Sequence, residues 1–175
     1  MNNKDKFLYS LHQARLEHTK WVSKMRILAS GVIDSDIETP KSFFDTNFSK
    51  WFQEKATYLL FEEKCNSLKE IEILMQHLDS EYMLLYNICV KNRSKTFLGK
   101  IKPLGKKDEG YAQKYLHSIQ FMTKKLEDLL QELNKGIINV RENSFYFMEM
   151  QEDEKSDKNS KSKKYHSGAR GAYQD

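Results

Sequence analysis

The chain has few of the residues that delimit short strands or staple small folds. Its 175 residues include seven glycines and two prolines, which favours a few long helices over many short strands. The two cysteines, Cys65 and Cys89, form no Cys-x-x-Cys motif, so the sequence offers no disulfide framework and favours a reducing compartment. There is no apolar signal core at the start, and no apolar run approaches the roughly 18 residues of a spanning helix. We therefore expect a soluble, cytoplasmic protein with no membrane contact.

Charge is abundant but nearly balanced. Charged residues make up 31% of the chain, and the net charge of +4 is too mild to imply a nucleic-acid partner by itself. The length suits one domain with a real core and is too short for two domains of ordinary size. We expect a helical-bundle domain over residues 1–150, followed by a disordered polar tail over 151–175 that lacks apolar periodicity.

Apolar residues at spacings of three and four predict a first helix over about residues 4–30, ended by Gly31. A short helix follows, for which Thr39 is the expected N-cap and Pro40 the first helical residue. This short helix carries the aromatic residues Phe43, Phe44, Phe48, Trp51 and Phe52.

Two further long helices complete the pattern. Ser67 and Glu70 form a capping-box sequence, which predicts a helix from there to about residue 92. A basic stretch at 91–107 with two glycines and a proline is typical of a loop, and the last long helix starts near Asp108.

The resulting fold class is all-α, an antiparallel four-helix bundle of three long helices and one short aromatic helix. Residues 53–66 and 137–150 fit no single pattern, and their structure stays open at this point.

His18 occupies a position on the apolar stripe of the first helix. A buried imidazole needs hydrogen-bond partners, because each unpaired polar atom costs about 1–3 kcal/mol. Three interpretations compete: a core histidine satisfied by a polar neighbour, a proton sensor near pH 6.5, or a metal ligand held by a second group. For a lone histidine, the core interpretation is the ordinary one.

His77 and Glu81 lie four residues apart and therefore share one flank of their helix. A His-x3-Glu pair is a standard means of aiming two ligands at one point between helices. We therefore predict that His18, His77 and Glu81 converge on one ion or one hydrogen-bond network. His117 on the last helix is a further candidate for the same cavity.

Three segments together resemble the chemoreceptor zinc-binding (CZB) domain family. The family pattern is roughly Ala-x-x-Asp-His-x-x-Trp on the first helix, Cys-x-Phe-Gly-x-Trp on a short helix and His-x3-His on the next. The corresponding segments here are "ARLEHTKW" with Ala14, His18 and Trp21, "TNFSKW" with Phe48 and Trp51, and "HLDSE" with His77. The resemblance covers about residues 5–95, and it implies the same helical-bundle fold.

The chain departs from the family pattern at the metal ligands. The family holds zinc with three histidines and one cysteine, whereas this chain has Thr46 at the cysteine and Glu81 at the second histidine. Asp45 could replace the lost thiolate, which would give His18, His77, Glu81 and Asp45 as the ligand set. Such a set would lower the selectivity for zinc and admit manganese or iron. Equally, Glu81 could simply hydrogen-bond a histidine and leave a metal-free polar cluster.

The resemblance implies a metal-dependent sensory or regulatory module of bacterial signalling or chemotaxis. The expected partner is a signalling or chemoreceptor protein in trans, and a homodimer is also implied because CZB domains tend to pair. A metal-free bundle for protein interaction is the alternative. A weaker one is a nucleic-acid accessory protein that uses the basic loop and the tail. No phosphate loop, nucleophile elbow or pair of catalytic carboxylates is present in the sequence, so we do not expect an enzyme.

Overall fold

A computed structural model describes residues 1–31, 39–91 and 102–147 of the chain. These residues form an all-α fold, as the sequence predicts. Its four α-helices are α1 (Asn3–Ala29), α2 (Asn47–Glu54), α3 (Ser67–Tyr86) and α4 (Lys106–Ile138). The predicted tail over 151–175 and most of the basic loop lie outside the described residues. None of the helices in the described ranges combines the length and hydrophobicity needed to span a bilayer.

Helix α1 follows the sequence prediction closely. Its first turn is capped by the Asn2 side chain, which accepts a hydrogen bond from the Asp5 N–H at 2.8 Å. It ends before Gly31, whose φ of 76° is readily adopted by glycine. The buried face contains the predicted apolar stripe together with His18: Phe7, Leu11, Ala14, His18, Trp21, Met25 and Leu28.

Helix α4 is the common packing partner of the other two long helices, since it contacts both α1 and α3. Helix α2 packs against α1, and a 3-10 helix over Phe43–Asp45 packs against α3. The short aromatic segment therefore joins α1 and α3 to one core, and it places Phe43 and Phe48 beside the buried face of α1.

Gly136, in the last turn of α4, lies very close to the backbone of Lys64. A Cβ atom built on Gly136 would lie 1.9 Å from the carbonyl oxygen of Lys64, far inside van der Waals contact. Lys64 belongs to a 3-10 helix over Glu63–Cys65 that leads directly into α3. Only glycine permits this contact, so the end of α4 sits directly on the chain that enters α3.

Two predicted helix caps were wrong. Thr39 and Pro40 are not helical, and the capping residue of the 3-10 helix is Ser42. Its side chain accepts from Phe44 N–H at 3.1 Å, while Asp45 accepts from the Ser42 N–H at 3.2 Å. The carbonyl of Pro40 instead accepts a hydrogen bond from the Tyr82 hydroxyl.

The capping box expected at Ser67 does not form either. Ser67 is the first residue of α3, and the preceding Asn66 already has helical dihedrals, φ −57° and ψ −28°. Because the Glu63–Cys65 helix runs almost continuously into α3, the extended N-cap conformation that a capping box requires is absent.

The structure settles most of the segments that the pattern left open. Residues 53–66 contain two 3-10 helices, Ala56–Leu59 and Glu63–Cys65. Helix α4 continues through Gly136 to Ile138, and a 3-10 helix follows over Glu142–Phe145. The helix predicted to reach residue 92 is α-helical to Tyr86 and continues as a π-helix over Asn87–Lys91.

Candidate functional site

His18 lies in an aromatic environment, only 2% exposed. Its ring stacks on Trp21 with centroids 5.5 Å apart, and it meets Phe48 at 5.2 Å and Phe43 at 5.9 Å. Tyr82 lies on the other side of this group, 5.4 Å from the Trp21 ring. We call these five residues the aromatic cluster.

Neither ring nitrogen of His18 has a hydrogen-bond partner among the residues that the structure describes. Burial lowers the pKa of His18 from 6.5 to about 4, because the protonated ring would lose its hydration. The imidazole is therefore neutral at pH 7. This low pKa argues against the proton-sensor interpretation with a midpoint near pH 6.5. Within the described residues, no protein group satisfies the ring in the way that the core interpretation expects.

His77 and Glu81 do not lie on the core-facing side of α3. The buried face of α3 runs through Leu74, Leu78, Tyr82 and Leu85. His77 precedes Leu78 by one residue and Glu81 precedes Tyr82 by one, which rotates both by about 100° around the helix axis. His77 is accordingly exposed and Glu81 half-buried. The pair shares one flank, as predicted, but not the flank that meets the aromatic cluster.

Thr46, at the position of the family cysteine, and its neighbour Asp45 both have other roles. Asp45 is exposed, and its carboxylate accepts the Ser42 N–H in the capping box. Thr46 is buried and is the N-cap of α2: its hydroxyl accepts from the Ser49 N–H at 3.3 Å and donates to the Ser49 hydroxyl at 3.1 Å. His117, the further candidate, is exposed on α4.

The donor set consequently does not fit the zinc that the resemblance implies. In the described parts of the chain, no three His, Cys, Asp or Glu side chains are placed to hold a metal ion. A protein zinc site needs three or four such ligands. Here His18 faces aromatic rings, so the structure does not bring His18, His77, Glu81 and Asp45 together as one metal-binding group.

One residue of the site escaped sequence reasoning. Asp79 accepts two hydrogen bonds at 2.7 Å, from the Ser42 hydroxyl and from the Phe43 N–H. It thereby fastens the Phe43–Asp45 helix to α3 beside the aromatic cluster. In the sequence Asp79 is only a carboxylate between His77 and Glu81. Its partner Ser42 lies 37 residues away, and no sequence pattern connects the two.

The two tryptophans also differ in a way that the sequence does not show. The Trp51 indole N–H donates to the Ser10 hydroxyl at 3.0 Å, whereas the buried Trp21 Nε1 has no partner within residues 1–31, 39–91 and 102–147. Both residues belong to the family motif segments, and only their surroundings distinguish them.

No protein-family model matches the chain, and no curated protein or solved structure matches it. The CZB resemblance therefore stays a prediction from the three motif segments.

Proposed function

We propose that this protein is a helical-bundle interaction module that works without a resident metal. The observation that carries the proposal is the separation of the expected ligands, with His18 among aromatic rings and His77 on the exposed side of α3. The regulatory role that the family resemblance implies would then depend on protein binding rather than on metal occupancy.

The outer face of α3 supports the interaction part of the proposal. Ile73, His77, Ser80 and Leu84 follow one another at spacings of four, three and four, so they form one stripe along the helix. Ile73 is 56% exposed and Leu84 44% exposed, at the two ends of this α3 stripe. Ile73 and Leu84 lie eleven residues, about three helical turns, apart on one side of α3, where both are available to pack against another helix. We propose a second copy of the chain as the partner, because a twofold pair brings the same stripe of both copies together.

A metal titration tests the first half of the proposal. Chelator-treated protein should melt at the same temperature with and without excess zinc, manganese or iron(II). A metal that binds only the folded state would add about 2.7 kcal/mol at a hundredfold excess over its Kd, which is several degrees. We expect His77→Ala to change stability by less than about 0.5 kcal/mol, as for other exposed positions. A zinc-dependent gain that disappears in His77→Ala would overturn the metal-free proposal and favour the sensor.

Sedimentation velocity over a range of concentrations tests the second half. We expect the wild-type chain to form a dimer and the double variant Ile73→Glu/Leu84→Glu to be monomeric, because two carboxylates would be buried at the interface. Phe121→Glu is the matched control, since Phe121 is 71% exposed on α4 and its replacement should leave the dimer intact. A wild-type monomer at all concentrations, or a dimer that survives the double substitution, would contradict the proposal.

A further inference from the structure

A cleft of about 690 Å³ lies between α1 and α2. Its lining extends from Met1 to Glu17 along α1, and from Asn47 to Lys55 along α2 and its C-cap. Tyr9 lines the cleft and is 60% exposed, so an aromatic ring is available there for packing. A cleft of this volume can hold a ligand or a short peptide segment.

The described part of the chain ends beside this cleft, at Phe147. The Phe147 ring stacks on Tyr58 with centroids 4.5 Å apart, and Tyr58 follows Lys55 of the cleft by three residues. The Phe7 ring contacts both Phe147, at 6.2 Å, and Trp51 of the cleft, at 5.8 Å. These contacts hold Phe147, and therefore the start of the chain that follows it, at one end of the cleft.

The next seven residues, 148–154, have the sequence MEMQEDE, with two methionines, four carboxylates and no cation. Methionine side chains pack favourably against aromatic rings, such as the exposed ring of Tyr9. Seven residues span about 10 Å as a helix and about 23 Å when extended. Lys50 precedes Lys55 by five residues, about 8 Å along α2, so the segment can reach it in either conformation.

The charges that line the cleft favour an acidic segment. Three lysines, Lys6, Lys50 and Lys55, line it together with two glutamates. One of these glutamates, Glu17, accepts a hydrogen bond at 2.6 Å from Lys20, a fourth cation that does not line the cleft. The lining therefore carries an excess of positive charge, which is complementary to the four carboxylates of residues 148–154.

We propose that residues 148–154 fold back onto this cleft, with their methionines against Tyr9 and their carboxylates paired with the lysines of the lining. The segment then joins α1 to the end of α2 and closes the cleft to other ligands. The end of the domain, expected at residue 150 from the sequence, moves to residue 154. The contact uses other helices than the α3 stripe and does not depend on the proposed dimer.

Backbone dynamics of the full chain test the proposal. NMR relaxation of the ¹⁵N-labelled protein gives an order parameter for each residue, about 0.85 in rigid backbone and below about 0.6 in flexible chain. We expect residues 148–154 to have order parameters close to those of α2, and residues 160–175 to have values below about 0.6. Values below about 0.6 throughout residues 148–175 would overturn the proposal.

Charge reversal within the segment should release it. Glu152→Lys/Asp153→Lys places two cations opposite the lysines of the cleft, so we expect the order parameters of residues 148–154 to fall below about 0.6. Asp157→Lys/Asp175→Lys is the matched control, because it changes the net charge equally and leaves residues 148–154 intact. An equal loss of order in the two double variants would contradict the proposed contact.

The cleft allows the complementary change at Lys50, which is exposed on α2. Lys50→Glu should lower the order parameters of residues 148–154. Its combination with Glu152→Lys/Asp153→Lys should restore part of the order, because opposite charges then face each other again. Lys69→Glu is the control, since Lys69 is exposed on α3 and does not line the cleft. Equal effects of the two lysine variants, or no recovery in the combined variant, would show that the segment does not bind at Lys50.

Dilution separates binding within one chain from binding to a second copy. Contact within one chain does not depend on protein concentration, whereas a segment bound to another copy is released on dilution. We expect the order parameters of residues 148–154 to be the same after about tenfold dilution and in the double variant Ile73→Glu/Leu84→Glu. Loss of order on dilution would overturn the proposal and assign the segment to the cleft of a second copy. A monomeric wild-type chain with an ordered segment would contradict the α3 dimer alone and support the contact proposed here.

Discussion

The α3–α4 interface and the aromatic cluster are two parts of one core with different side chains. The buried faces of α3 and α4 consist mainly of leucine and isoleucine, although Thr123 Oγ1 on α4 also lacks a partner among the described residues, and at Gly136 the backbone of α4 meets the chain entering α3. The aromatic cluster contains three ring nitrogens that no described residue pairs with, two in His18 and one in Trp21. Close apolar packing stabilises the fold, whereas unpaired buried polar atoms destabilise it. The difference indicates that the apolar faces of α3 and α4 stabilise the fold, while the unpaired nitrogens of the cluster reduce its stability.

The largest effect is expected where Gly136 of α4 meets the chain entering α3. Gly136→Ala places a methyl group against the Lys64 carbonyl, and backbone on both sides leaves little room for relaxation. We expect a loss of about 3 kcal/mol in the free energy of unfolding, at the upper end of overpacking effects. Urea unfolding measures it.

Gly110→Ala is the matched control in the same helix. A Cβ at Gly110 meets nothing within 4 Å, so the helix gains the better propensity of alanine without a clash. We expect a gain of about 0.5–1 kcal/mol. Equal effects of the two glycine substitutions would show that the close contact at Gly136 does not determine the packing of α4.

The next effect concerns the bond between the aromatic cluster and α3. Asp79→Ala leaves the Ser42 hydroxyl and the Phe43 N–H without their acceptor. We expect a loss of about 2 kcal/mol, since hydrogen bonds to charged groups contribute about 1.5–3 kcal/mol. Asp79→Asn should lose less, because its amide oxygen still accepts one bond. An alanine variant within 0.5 kcal/mol of wild type would show that Asp79 does not anchor the Phe43–Asp45 helix.

Inside the aromatic cluster we expect a substitution to raise the stability of the fold rather than lower it. His18→Leu replaces a ring with two unpaired nitrogens by an apolar side chain of similar size. We expect stability to rise by about 1–3 kcal/mol, the cost of leaving buried polar groups unpaired. A destabilised leucine variant would show that His18 is satisfied by a group such as bound water.

The same variant should change the dependence of stability on pH. Because the pKa of His18 is about 4 in the folded chain and 6.5 when unperturbed, the unfolded chain binds a proton that the folded chain excludes. Stability therefore falls as the pH drops from 6.5 towards 4, by up to about 1.4 kcal/mol per pH unit. A small cleft that reaches His18 is also lined by the ionisable side chains of His12, Arg15 and Glu127. Because these side chains are present in every variant, the contribution of His18 is measured as the difference in pH dependence between variants. His18→Leu should lose this component of the slope, and His77→Leu should keep it.

The sequence pattern predicts the positions of the helices better than the arrangement of the site residues. The apolar period of three and four residues placed α1 and the buried position of His18 correctly, because burial of one face depends on spacing alone. The same period could not place His77 and Glu81 relative to that face. A shift of one residue turns a side chain by about 100°, and Leu78 and Tyr82 satisfy the i, i+4 spacing equally well. A spacing of four predicts that two residues share one side of a helix. Whether that side faces the core depends on the neighbouring residues, here Leu78 and Tyr82, which are buried instead.

Caps and hydrogen bonds between distant segments were the least predictable. The sequence of Ser67 and Glu70 satisfies a capping box, yet the actual box is Ser42 with Asp45. Which candidate forms depends on the conformation of the preceding chain, and that conformation is determined by tertiary packing. The partners of Asp79 and of Trp51 have no local signal for the same reason.

The smallest effect is expected from removing the acceptor of Trp51, which would leave its indole N–H without a protein partner, as in Trp21. Ser10→Ala removes the acceptor of the Trp51 indole N–H, which is 3.0 Å away in the wild type. Ser10 and Trp51 line an open cleft between α1 and α2, so water can replace the lost hydroxyl and the cost should be about 0.5–1 kcal/mol. The Trp51 indole signal should move in the ¹H–¹⁵N NMR spectrum, while the Trp21 indole signal should stay in place. If Ser10→Ala also moved the Trp21 signal, the two indoles would be coupled through α1, and the contrast between a paired and an unpaired tryptophan would not hold.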